Sequence, residues 1–227
     1  MDSGVYVVAH ELKSPWATMR QLALNLDPDN LNPTKHKMVS LADRAMRQVT
    51  ELTKVARLAD GLFQLEPVSV RSVCDEVSSE IDDLYHLSNR TLRLSFRNRT
   101  RLVIANRDLL RSVIYNFCTN ALHYSEPNSS SSLTVIDHGD CVRIQVRDYG
   151  PALPTEIWKS INTNDFSSPT SIAMRPGSTG LGLYIASRFS DYMHADITAI
   201  RHRDGTSLII DLPVSRQLTL FSATPSH

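Results

Sequence analysis

The chain has 227 residues, 41% hydrophobic and 21% charged, and its 24 lysines and arginines balance 24 aspartates and glutamates. This is an ordinary composition for a soluble globular protein, and its zero formal charge gives no electrostatic reason to expect nucleic acid or an anionic membrane surface as a partner. Three cysteines, Cys74, Cys118 and Cys141, stand far apart and match no metal-ligand spacing, which fits free thiols in a reducing compartment. No run of about 18 apolar residues and no signal-peptide pattern occurs. The chain is therefore expected to be cytoplasmic; if it senses something across a membrane, the sensing part is missing from it.

From Asp2 to Leu26, apolar residues recur near heptad a and d positions: Val5, Val8, Leu12, Met19, Leu22 and Leu26. DPDNLNP, residues 27–33, reads as a tight connection. A second helical run carries Met38, Leu41, Ala45, Leu52, Val55 and Ala59, and Gly61 is placed to end it. Helix, turn, helix is an antiparallel hairpin in which each helix buries only one stripe. A homodimer forming a four-helix bundle solves that; packing on the rest of the same chain is the alternative. Residues 1–61 are expected to form this domain and residues 62–69 a linker. A second domain is expected over 70–214, with a loosely docked tail at 215–227.

In the second domain the spacing predicts a helix over 70–89, strands at TLRLSFR and RLVIA, and a helix over 107–124 capped by Asn106. SLTVIDH and CVRIQVRD predict a hairpin. Residues 155–176 are weakly periodic and rich in Ser, Thr, Asn and Pro, which predicts an unstructured, mobile insert. A helix from Gly180 to Met193 and the strands ADITAIRH and SLIIDLP complete the domain. Mixed strands and helices in this order predict a two-layer α/β sandwich.

Four stretches carry chemistry. HELKSP, residues 10–15, sets His10 beside Glu11 on the solvent side of the first helix. Taken alone this is a solvated surface histidine, but a carboxylate can hold one ring nitrogen and leave the other nucleophilic. Pro15 removes the backbone donor that would bond the Glu11 carbonyl and loosens that turn. NFCTNALHYS places Asn116 and Asn120 on one helix face, with His123 and Tyr124 on the adjoining turn. An isolated N-x-x-x-N reads as two solvated asparagines. It also offers two hard oxygen ligands to magnesium, with Tyr124 able to pack on an adenine or ribose. RDYGPALP ends a strand with Asp148, able to accept from an exocyclic amine, and Gly150, where a ligand can approach the backbone. GSTGLGL, residues 177–183, sets Gly177, Thr179, Gly180, Leu181 and Gly182 before or at the start of a helix, where free amides favour phosphate. It is neither a Walker loop nor the dinucleotide fingerprint.

The order HELKSP, N-x-x-x-N, D-x-G-P, GSTGLGL and DGTSLIIDLP resembles the catalytic core of a bacterial sensor histidine kinase, over nearly the whole chain from about Val5 to Pro213. The resemblance implies a dimerisation and histidine-phosphotransfer domain followed by a Bergerat-type ATP-binding domain. It implies that His10 is the phospho-acceptor, that Glu11 orients the imidazole and assists proton removal, and that Ser14 positions water for phosphatase action. It implies ATP and Mg2+ as cofactors, with Asn120 and Asn116 as metal ligands, Asp148 reading the adenine amine and Gly150 lining the base pocket. Gly180 and Gly182 would sit against the phosphates, Thr155 to Pro176 would be a lid, and Arg175 would reach the γ-phosphate. The implied partners are a second copy of the chain, a response-regulator receiver domain and an upstream sensor domain, with no nucleic acid. Where the family usually has lysine this chain has His123, where it has the second glycine of D-x-G-x-G it has Ala152, and His194 and Ala195 replace a glycine pair. These departures leave open a kinase-weak dimeric scaffold, or a phosphatase of a response regulator.

Overall fold

A computed structural model describes residues 47–165 and 180–215. The first helix of the expected hairpin, and most of the second, lie outside them. Among the described residues, 47–62, 154–165 and 180–188 belong to one compact unit and 63–153 with 189–215 to another.

In the first unit, helix α1 covers residues 47–56 and tightens into a 3-10 turn over Leu58–Asp60. Gly61 closes it in the left-handed region at φ 67, its N–H bonded to the Leu58 carbonyl, as expected of a helix-terminating glycine. Helix α4, Thr155–Asn162, corrects the expectation of an unstructured insert from residue 155: it is a regular helix that buries Ile161 completely. Its Pro154 N-cap makes no side-chain capping bond, so the usual start signal is missing from the sequence.

The second unit holds the sandwich. A five-stranded sheet runs in the order β2-β4-β5-β7-β6, with β2 at Thr91–Arg97, β4 at Ser130–His138, β5 at Cys141–Arg147, β6 at Asp196–His202 and β7 at Gly205–Pro213. β2 and β4 are parallel; the other neighbours are antiparallel. The linker expected over 62–69 contains a strand: β1, Glu66–Val68, pairs with β3, Val103–Ala105. Linker residues ahead of it are held too, since Tyr192 Oη donates to the Phe63 carbonyl at 3.0 Å and the Phe63 and Tyr192 rings meet edge to face.

Alternation explains the core. Leu133 and Val135 of β4, Val142, Ile144 and Val146 of β5, and Leu208, Ile210 and Leu212 of β7 share the inner face and are buried. Helices α2, Val70–Leu87, and α3, Arg107–Tyr124, pack on each other and on this sheet. α2 contributes Val70, Val73, Cys74, Val77, Ile81 and Tyr85 at helical spacing. Tyr85 Oη donates to the Cys118 carbonyl at 2.8 Å, a buried bond between the two helices. At their outer rim Arg107 pairs with Glu76 at 2.7 Å and Arg111 with Glu80.

Candidate functional site

The amide helix is fixed at both ends. Asn106 caps α3: its Oδ1 accepts from the Leu109 N–H at 3.2 Å, and its Nδ2 donates to the Gln64 carbonyl at 3.0 Å. Leu109, Leu110, Val113, Ile114, Phe117, Cys118, Ala121 and Leu122 are buried, which turns Asn116 and Asn120 to a half-buried flank. Two amide oxygens one turn apart suit a hard cation that keeps most of its other ligands as water or phosphate, so the donor set fits magnesium. His123 is exposed and Tyr124 half-buried at the last turn.

The D-x-G stretch meets that turn. The Glu126 N–H donates to the Tyr149 carbonyl at 3.0 Å. Gly150 lies so close to the helix end that a Cβ there would collide with the Tyr124 carbonyl oxygen. The glycine is thus required by the protein's own backbone, whatever else approaches it. Arg90 completes the junction, its Nη2 donating to the Ser125 carbonyl at 2.7 Å. Ala152 is exposed, so its methyl crowds nothing among the described residues.

Asp148 leaves the end of β5 and is only 7% exposed. Its N–H donates to the Thr206 carbonyl at 2.9 Å, and its Oδ1 accepts from the Thr206 N–H at 3.1 Å. The carboxylate therefore has a fixed backbone donor. Gly205 makes this possible: its φ is +136, and a Cβ there would run into the Asp148 carbonyl and carboxylate. Sequence reasoning missed Gly205 and Thr206. Their signal was the D-G-T turn before the last strand, but nothing local says that its partner lies 58 residues earlier.

Asn116, Asn120, His123, Tyr124, Asp148 and Gly150 all fall in the second unit, where the α3 end and the D-x-G stretch adjoin. Gly180, Leu181 and Gly182 belong to the first unit, at the start of helix α5, Leu181–Tyr192, with Gly180 at φ 70. The Gly180 carbonyl accepts the Tyr184 N–H at 3.0 Å, as a helix-capping residue does. His10, Glu11, Ser14, Arg175, Gly177 and Thr179 lie outside the described residues.

Residues 105–216 match the family described as histidine kinase-, DNA gyrase B-, and HSP90-like ATPase. The chain is 26% identical over 217 residues to histidine protein kinase SaeS of Staphylococcus epidermidis, covering 90% of this chain and 61% of that protein. It is 30% identical over 191 residues to sensor histidine kinase MtrB of Mycolicibacterium paratuberculosis, covering 79% of this chain and 33% of that protein. The chain thus spans less than two thirds of the length of these relatives.

Solved structures share the fold. Histidine kinase AdeS of Acinetobacter baumannii superposes with a TM-score of 0.66 at 15% identity, over 91% of this chain and 98% of that one. The catalytic domain of histidine kinase ThkA gives 0.57 at 22% identity, over 66% of this chain and 96% of that one. ThkA in complex with response regulator protein TrrA gives 0.64 at 19% identity, over 92% of this chain and 60% of that one. Among the described residues no helix is long and apolar enough to cross a membrane.

Proposed function

We propose that the chain is the catalytic core of a sensor histidine kinase: it binds ATP in the second unit, phosphorylates His10 and passes the phosphoryl group to an aspartate of a response regulator. The observation that carries the reading is the buried Asp148, aimed by the Thr206 amide beside the asparagine-bearing end of α3. A preset carboxylate of this kind suits an exocyclic amine, because a buried acceptor left unpaired by the wrong base costs the full desolvation of the group. Asn116 and Asn120 would hold a magnesium ion, whose charge neutralises the phosphates. In the transfer, a ring nitrogen of His10 forms a bond to the γ-phosphorus as the bond to the ADP oxygen breaks, and Glu11 takes up the imidazole proton. The regulator's carboxylate then attacks the phosphorus, the P–N bond breaks, and the imidazole takes its proton back from Glu11 to leave neutral histidine. The helical hairpin is the expected homodimer contact, and the sensing part belongs to other segments of a longer protein.

Incubation with γ-labelled ATP and magnesium tests this, with wild type beside His10→Gln, Asn120→Ala and Asp148→Asn. Acid-labile, alkali-stable label on wild type, absent from His10→Gln and at least tenfold weaker in the two pocket variants, is expected. Label that survives His10→Gln would remove the proposed acceptor. A folded wild type that takes no label would turn the reading to a scaffold or a regulator phosphatase.

A further inference from the structure

We propose that Arg147 is a positioning residue for base recognition, acting through the turn between β6 and β7; this rests on the reading that Asp148 recognises adenine. Arg147 is 9% exposed, unusual for an arginine, and its guanidinium is engaged on three sides. Nη1 donates to the Asp148 carbonyl at 2.5 Å, and Nη2 donates to Asp204 Oδ1 at 2.7 Å. The guanidinium carbon lies 4.5 Å from the centre of the Tyr149 ring. The space it occupies exists because residue 205 is glycine: a Cβ there would come within 2.6 Å of Nη1.

Together with Thr206, this fixes the N–H, the carbonyl and the carboxylate of Asp148 against one hairpin turn. One of those contacts pairs backbone with backbone, and a second brings the residue-206 N–H, which any residue but proline offers, to the Asp148 carboxylate. The third needs a planar cation with donors pointing two ways, which lysine does not offer. Arg147 is placed to act through Asp148. It sets where the carboxylate stands, and small displacements of a recognition group carry large costs. Asp204, whose side chain is mostly exposed, holds the far side of the fork. Charge at the hairpin tip thus acts on the base site from outside it.

The test measures affinities of the full chain for non-hydrolysable ATP and GTP analogues and for base-less tripolyphosphate. Wild type is compared with Arg147→Met, Arg147→Lys and Asp204→Asn. Arg147→Met is expected to lose about tenfold in affinity for the ATP analogue, with the ATP-over-GTP preference falling by the same factor and tripolyphosphate binding unchanged. Arg147→Lys and Asp204→Asn are expected to lie between. A variant that is merely less folded would lose all three ligands together. Amide exchange in the nucleotide-free protein gives an independent readout: the Asp148 and Thr206 N–H groups should exchange faster in Arg147→Met while β4 and β5 stay protected. Wild-type preference retained in Arg147→Met, with unchanged exchange, overturns the proposal alone. No preference in wild type removes the adenine reading and this proposal with it.

Discussion

His194 stands where helix α5 stops, at φ 55, a conformation that glycine adopts freely and that costs other residues roughly 1 kcal/mol or more. The N–H of Ala195 reaches back to the Ser190 carbonyl at 2.9 Å and that of His194 to Asp191 at 3.1 Å, which is a Schellman ending with histidine in the glycine place. His194→Gly should therefore raise stability by about 0.5–1 kcal/mol, after the greater freedom of glycine in the unfolded chain is counted; a urea titration reads the midpoint. His202 makes a different statement. Its ring bonds Ser207 Oγ at 2.9 Å, and burial, then the Arg147 charge, push its pKa below the ordinary value of 6.5. As pH falls through 6.5 the unfolded chain gains a proton that the folded chain still refuses. Stability from this group is thus complete above that pH and is lost below it, down to the folded pKa. Urea midpoints at pH 7.5 and 5.5 should show a decline in wild type that is smaller in His202→Gln.

Two more helices end as α5 does, with Asn89 at φ 52 after α2 and Asn164 at φ 55 after α4. No glycine marks any of these three stops, so the sequence expectation of 70–89 overran a helix that ends at Leu87. The start of α3 was legible because Asn106 has the cap chemistry and an apolar period follows it, and the helix spans the expected 107–124. Asn106→Ala removes both the cap and the bond to the Gln64 carbonyl, and should cost about 1–2 kcal/mol. Thermal melting should show a fall of a few degrees, with helicity otherwise kept. β1 and α4 were not legible for opposite reasons. β1 is three residues that need β3 as a partner, and α4 opens without a side-chain cap inside a polar stretch. Of the candidate site, Asn116, Asn120 and Asp148 stood out by motif, whereas the Thr206 amide and the Arg147 fork arise only from pairing distant in sequence.

At the scale of the whole molecule, the three thiols report on different depths. Burial, with a smaller push from Asp75, raises Cys74 to about 12, and burial holds Cys118 well above its ordinary value. Cys141 on β5 is half-exposed. Since thiolate is the reactive form, native protein should alkylate first at Cys141, with Cys74 and Cys118 following only as α2 and α3 separate. Peptide mapping after timed iodoacetamide exposure checks this, and equal rates at all three would mean that the two-helix layer opens freely. The central place of β7 has a consequence for how the protein is made. β7 is the last strand among the described residues, yet it lies between β5 and β6 and supplies the amide that aims Asp148. On the ribosome, β5 has left the exit tunnel while its neighbour is still being assembled. At roughly 5–20 residues per second, its open edge waits on the order of seconds for a partner. During that interval an apolar inner face and unpaired backbone groups are offered to other nascent chains, and the turn that aims Asp148 does not yet exist. The sheet closes, and the Asp148 carboxylate gains its backbone donor, only once β7 has emerged.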